Sequence, residues 1–211
     1  LFVSHNMNAI EQLCNRVILL DKGKIVADST NVREVIKEYI FGQGKEAPTS
    51  EWKNSGDEFK NEYFFPQKIA LVDDKSERLK MPVRNDSEMW VEIQGNILNP
   101  NSHFNLGYAI FNEDGLLLYW SLSTDSAAEN WPKLNQGPFK IRSKIPSRIL
   151  NEGVYRIELI SSLHFIQWLT EPGVRAPAVF LSIQGGLSDS EYWMNRRPGL
   201  LAPVTKWEKV N

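Results

Sequence analysis

The chain has 211 residues, with 24 Lys and Arg against 26 Asp and Glu, 42% hydrophobic and 24% charged residues, and a formal net charge of −2. That balance is ordinary for a globular chain of one or two domains and lacks the basic footprint of a nucleic-acid binder, so no nucleic-acid partner is expected. Cys14 alone excludes an internal disulfide, three scattered histidines and one cysteine argue against a bound metal, and no apolar run has the length to span a bilayer.

In chain order, Phe2 and Val3 read as a buried strand running into Ser4 and His5. Ile10, Leu13, Cys14 and Val17 recur at i, i+3, i+4 and i+7, one apolar face of a helix. Residues 17–20 and 24–26 are short apolar runs split by Asp21-Lys22-Gly23, a hairpin signal. Residues 32–41 read as a helix with Asn31 as its cap and Val35, Ile36, Tyr39 and Ile40 as its stripe. Residues 43–57 are rich in Gly, Pro, Ser, Asn and Lys and read as a linker.

Helical periodicity then disappears. Strands are expected at 67–73, 88–98, 104–112, 116–122, 137–145, 153–162 and 177–183, with an edge strand at 204–207. Glu113-Asp114-Gly115 marks a hairpin between the third and fourth. Short antiparallel strands separated by turns suit a two-sheet sandwich of immunoglobulin-like or jelly-roll type. Alternation assigns faces. Val91, Ile93 and Ile97 point inward, and Trp90, Glu92, Gln94 and Asn96 outward. Phe139, Ile141 and Ile145 point inward, and Lys140, Arg142 and Lys144 outward. Tyr155, Ile157 and Leu159 point inward, and Arg156 and Glu158 outward.

Ser4-His5-Asn6-Met7, Cys14-Asn15-Arg16, Leu20, Lys22-Gly23 and Ile25-Val26 together resemble the end of an ABC-transporter nucleotide-binding domain. The resemblance covers about residues 1–42. It implies that His5 is the switch histidine that contacts the γ-phosphate of ATP. Asp28-Ser29 departs from the family, where a glycine commonly follows the hairpin. The chain carries no Gly-x-x-x-x-Gly-Lys-Ser/Thr loop, and no apolar strand ending in paired acidic residues precedes His5. ATP and magnesium therefore belong to a full-length parent ATPase. No cofactor and no enzyme activity are expected of this stretch, and His5 is expected to be idle.

The expected organisation is thus mainly β. A small α/β remnant of an ABC ATPase domain (1–42) and a linker (43–57) precede an antiparallel β-sandwich (58–211). An ABC ATPase with such a C-terminal sandwich resembles the ATP-binding subunit of bacterial polysaccharide exporters, O-antigen exporters among them. Asn151-Glu152-Gly153-Val154-Tyr155-Arg156 and the stretch 193–207 are similar to parts of those subunits. The resemblance implies a carbohydrate-binding domain that recognises lipid-linked polysaccharide. The expected setting is cytoplasmic, at the inner face of the bacterial inner membrane, with a transporter membrane subunit and a second copy of the chain as partners.

Aromatic rings stack on the C–H faces of sugars, while amides, carboxylates and guanidinium groups bind their hydroxyls. Trp90, Glu92, Gln94, Arg142, Arg156 and Glu158 offer both devices on one face if their three strands share a sheet. Trp120 is a further candidate, since it follows Tyr119 and one of the two must face outward. Trp131 and Trp168 stand in stretches read as loops, where a tryptophan needs a packing or binding role. Trp193 and Trp207 suit a lid or a dimer contact.

Each candidate also has a plainer reading. Tryptophans on sandwich strands commonly serve the core. Lys140, Arg142 and Lys144 suit a solvated strand face. Glu92 and Glu158 as a glycosidase pair would need a shared cleft and a raised acid, which the sequence does not suggest. The alternative to glycan recognition is a dimerisation or docking domain with no sugar site.

Overall fold

The computed structural model describes residues 2–3, 10, 13–21, 23–32, 34–36, 49–192 and 196–210. The chain divides into two compact units, residues 1–48 with 113–116, and residues 49–112 with 117–211. No helix among the described residues is long and apolar enough to cross a membrane.

In the first unit, β1 (Val17–Asp21) and β2 (Lys24–Ser29) form the expected antiparallel hairpin. Gly23 turns it at φ 77°, a left-handed conformation that a residue with a Cβ adopts only at a cost. Arg16 grips Asp28 through two hydrogen bonds of 2.7 Å, tying the start of the hairpin to its end. Ile10 and Leu13 are helical, and the Cys14 amide donates to the Ile10 carbonyl at 3.0 Å. A second helical segment contains Val32 and residues 34–36. Its start is held by Asn31, whose carbonyl accepts from the Val35 amide at 3.3 Å and whose side chain reaches Glu34 at 3.1 Å.

Val32 and Ile36 pack with Ile10 and Val17 into a small apolar cluster, so two members of the expected helix face do meet a partner. Leu13, expected on the same face, is exposed. Phe2 and Val3, expected in a strand, are exposed and pair with none among the described residues. His5, Tyr39, Ile40 and residues 43–48 of the expected linker lie outside the described residues.

The second unit is built from β3 (Glu51–Lys53), β4 (Phe64–Val72), β5 (Met89–Ile97), β6 (Phe104–Phe111), β7 (Leu117–Leu122), β8 (Gly137–Ile145), β9 (Gly153–Leu163), β10 (Gln167–Thr170) and β11 (Ala178–Ile183). All neighbouring strands pair antiparallel. One sheet runs β3-β4-β5-β8, and the other runs β10-β9-β6-β7, with β11 also on β9. The chain is mainly β, and its two antiparallel sheets form a sandwich.

The core is supplied by alternate residues of both sheets. Ile69, Leu71, Val91 and Ile145 face Leu106, Ile110, Ile157 and Leu181 in one apolar cluster. Each such side chain removed from water contributes roughly 1.5–3 kcal/mol, which is why the period-2 alternation fixes which face turns inward. Tyr108, buried in that cluster, meets Tyr119 edge-on with 6.4 Å between ring centroids. Tyr119 therefore packs inward, and its neighbour Trp120 is turned outward.

Three local expectations change. Glu51–Lys53, in the stretch read as linker, is a strand on β4, because Thr49, Ser50 and Arg78 are tied together by hydrogen bonds beside it. Trp168 lies on β10, a four-residue strand too short and too bulged to leave an alternation in the sequence. Residues 202–210 form no strand; Leu201 bridges to Leu150, and the Ala202 amide donates to the Ile149 carbonyl at 2.9 Å.

The main correction concerns sheet membership. β5 and β8 are neighbours in the first sheet, but β9 belongs to the second. The single polar face expected from these three strands is therefore two faces on opposite sides of the sandwich.

Candidate functional site

The outer face of the first sheet brings Trp90, Glu92, Gln94 and Arg142 together. Glu92 pairs in register with Arg142 on β8 and Ala70 on β4. Its carboxylate is 1% exposed and is held by Lys140 at 2.8 Å, Lys68 at 3.7 Å and the Gln94 amide at 2.8 Å. Burial by itself would raise the Glu92 pKa. The hydrogen bonds from Lys140 and Gln94, with the charges of Lys140 and Lys68, outweigh it and hold the carboxyl below the ordinary range. The Arg142 guanidinium covers the Trp90 ring at 4.4 Å from its centroid, and the Lys144 ammonium lies 5.8 Å from the same ring. Arg142 also donates to the Asp74 carbonyl at 2.9 Å. Trp90, expected as a stacking surface, is thus already stacked by the chain's own cation, and Glu92 and Arg142 are engaged with neighbours.

Arg156 and Glu158 are outward as expected, but on the second sheet. Arg156 Nε lies 3.1 Å from Glu158, whose other oxygen accepts from the Gly173 amide at 2.5 Å. The Arg156 guanidinium covers the Phe111 ring at 5.0 Å. Glu158 thereby staples the 171–175 turn to the sheet, and Arg156 holds Glu158 in place. Glu92 and Glu158 stand on opposite outer faces, so they share no cleft and form no hydrolytic pair. Trp131 follows a short 3₁₀ turn (Ala128–Asn130) and donates its indole N–H to the Ser126 carbonyl at 2.7 Å. It borders a cavity of about 160 Å³ with Phe104, Thr124 and Leu134.

A different constellation occupies the outer face of the second sheet. Trp120 of β7 and Trp168 of β10 meet edge to face, with ring centroids 5.8 Å apart and planes at 88°. Register explains the meeting. Trp120 lies opposite Ala109, Leu122 opposite Gly107, and Trp168 opposite Ser162, which in turn lies opposite Asn105. Small side chains on the two central strands leave a hollow, and the large rings at either end lean over it. Gly107 is required here: a Cβ on it would collide with the Ser121 carbonyl oxygen of β7.

The hollow is a cavity of about 380 Å³. Trp120, Trp168, Leu122 and Ile160 form its apolar walls and floor, and Asn105, Ser162, His164 and Gln167 give it polar points. Among the described residues no Asp, Glu, Lys or Arg lines it. One wall is the turn between β9 and β10, where Phe165 is 97% exposed and holds a left-handed φ of 58°. A bulky residue at positive φ is strained, and such strain persists where surrounding structure imposes it. His164 meets Phe165 at a tilt of 51°, with 4.0 Å between centroids.

Asn105 is the residue that sequence reasoning missed. It is 3% exposed, and its Oδ1 accepts from the Leu106 amide at 2.9 Å, Thr124 Oγ1 at 3.1 Å and Ser123 Oγ at 3.3 Å. A strand-opening asparagine signals nothing by itself; its value depends on Trp168, far away in sequence. Of the residues weighed as candidates from the sequence, Trp120 and Trp168 line this cavity. Rings beside neutral hydrogen-bonding groups can hold a ligand with both C–H faces and hydroxyls. Among the described residues, no three His, Cys, Asp or Glu side chains gather as a metal site.

No protein-family model matches the chain, and no curated protein matches it. Among solved structures it is similar to one titled "Crystal structure of the C-terminal domain of wzt", at 12% identity and a TM-score of 0.49, with 82% of this chain and 96% of that chain covered.

Proposed function

We propose that the chain is the glycan-recognition part of an ATP-driven polysaccharide exporter, and that the sugar site is the Trp120–Trp168 hollow on the second sheet. The observation that carries this reading is the pair of half-exposed indoles meeting over a cavity that no Asp, Glu, Lys or Arg among the described residues lines and that offers hydrogen-bonding groups. The exporter setting is supported by the likeness of residues 1–42 to the end of an ABC nucleotide-binding domain. In that setting the sandwich would select lipid-linked polysaccharide on the cytoplasmic side. Its role would be to raise the local concentration of cargo at the transporter, with no covalent step.

The test is titration of the chain with a panel of bacterial polysaccharides, followed by tryptophan fluorescence and calorimetry. Saturable binding that Trp168→Ala abolishes and Trp90→Ala spares supports the reading. Binding that survives Trp168→Ala but not Trp90→Ala would move the site to the other sheet, and no binding at all would reject it.

One observation favours the second reading, a dimerisation or docking module. β7 and β8 are edge strands, and a crevice of about 440 Å³ opens among inward residues that include Val91, Leu106, Tyr108 and Ile141. A second copy of the chain could close such an edge. A concentration-independent dimer that binds no polysaccharide would favour that reading.

A further inference from the structure

Resting on the sugar-binding reading above, we infer that the hollow on the second sheet recognises an acetyl group on its sugar, with Asn105 as the specificity-determining residue. The Leu106 backbone N–H lies 2.9 Å from one terminal atom of the Asn105 amide, which identifies that atom as the oxygen. The same oxygen faces the hydroxyls of Ser123 and Thr124. The Nδ2 group makes no hydrogen bond among the described residues, and Asn105 lines the cavity, so it is a donor open to a ligand. A ligand acceptor placed there meets a donor whose amide is already held in position through its oxygen.

The surroundings decide which acceptor fits. A sugar hydroxyl would bring its own proton, which needs a second acceptor, and Asn105 Oδ1 already faces three donors. Leu122, Ile160 and Leu163 line the same cavity and favour a methyl group. A carbonyl oxygen joined to a methyl meets both demands. The acetyl group of an acetamido sugar or of an O-acetylated sugar supplies that pair, with its ring left free to stack on Trp120 or Trp168. Ser162 and Gln167 line the same cavity and could accept the N–H that an acetamido group adds.

The experiment titrates the full chain with N-acetylglucosamine, a methyl 6-O-acetylglucoside and glucose, using saturation-transfer NMR and tryptophan fluorescence. The acetyl methyl protons are expected to receive the strongest transfer, and glucose to bind at least tenfold more weakly. Preference for the first probe over the second identifies the acetamido form, and the reverse identifies the ester. Asn105→Asp keeps an oxygen for the Leu106, Ser123 and Thr124 donors and replaces the free donor by an acceptor; it is expected to erase the acetyl preference. Equal binding of all three sugars, or weak transfer at the methyl, overturns the inference and leaves the sugar site standing. Polysaccharide binding lost in Trp168→Ala, without any response to the acetylated probes, does the same. Failure of every polysaccharide and every probe overturns both.

Discussion

Trp120 and Trp168 stand on strands at opposite ends of the β10-β9-β6-β7 order, yet their rings meet with centroids 5.8 Å apart. Three strand spacings of about 4.8 Å separate their backbones, so each indole leans inward over the central strands. The lean is possible because Gly107, Ala109 and Ser162 stand on this face of those strands, and it creates the hollow between rings and sheet.

Truncating either ring should remove saccharide binding without unfolding the sandwich, because both are more than two-fifths exposed. Trp120→Ala or Trp168→Ala is expected to weaken binding at least tenfold, about 1.4 kcal/mol. Calorimetric titration checks the loss, and thermal unfolding checks that each variant is folded.

Trp90 should behave in the opposite way. Its ring is covered by Arg142 at 4.4 Å, so Trp90→Ala is expected to cost about 2 kcal/mol of stability and leave sugar affinity unchanged. Arg142→Ala should cost less, about 0.5–1 kcal/mol, since an exposed cation–π contact and one carbonyl bond are lost. Urea unfolding midpoints for the two variants test the order.

Acid should act on the first sheet through Glu92. Its pKa is held below the ordinary 4.5, so its stabilising contribution is complete above that value and is lost as pH falls through the lower folded-state pKa. Glu92→Gln is expected to cost about 1–3 kcal/mol at neutral pH, with the gap from wild type closing below pH 4.5. Lys140 is half exposed, so salt should shrink the gap too. Unfolding free energies across this pH range, at two salt concentrations, measure both effects.

Gly107→Ala places a methyl against the Ser121 carbonyl and Leu122. Neither backbone can yield without separating β6 from β7. A loss on the order of 2–4 kcal/mol is expected, with sugar binding weakened because Trp120 rides on β7. A folded variant of wild-type stability would show that the two strands have room to part.

The strands of the sandwich were legible because alternation is a local signal. Val91 and Ile93 inward with Trp90 and Gln94 outward, Ile141 inward with Arg142 outward, and Ile157 inward with Arg156 outward can all be read within single segments. The choice between Tyr119 and Trp120 was posed by their adjacency and settled by the Tyr108 ring, which occupies the inner side.

What the sequence by itself determined was therefore element type and facing: a mainly β chain, its hairpins and its inward and outward residues. Only the tertiary structure decided which outward faces adjoin. Sheet membership depends on pairing between segments distant in the chain, to which a period of two is blind. It placed Arg156 and Glu158 on the side away from Trp90, put Arg142 on the Trp90 ring, and carried Trp168 to Trp120 above the free amide donor of Asn105. Burial drives each strand to turn one face inward, but long-range pairing alone composes a site from the faces left outside.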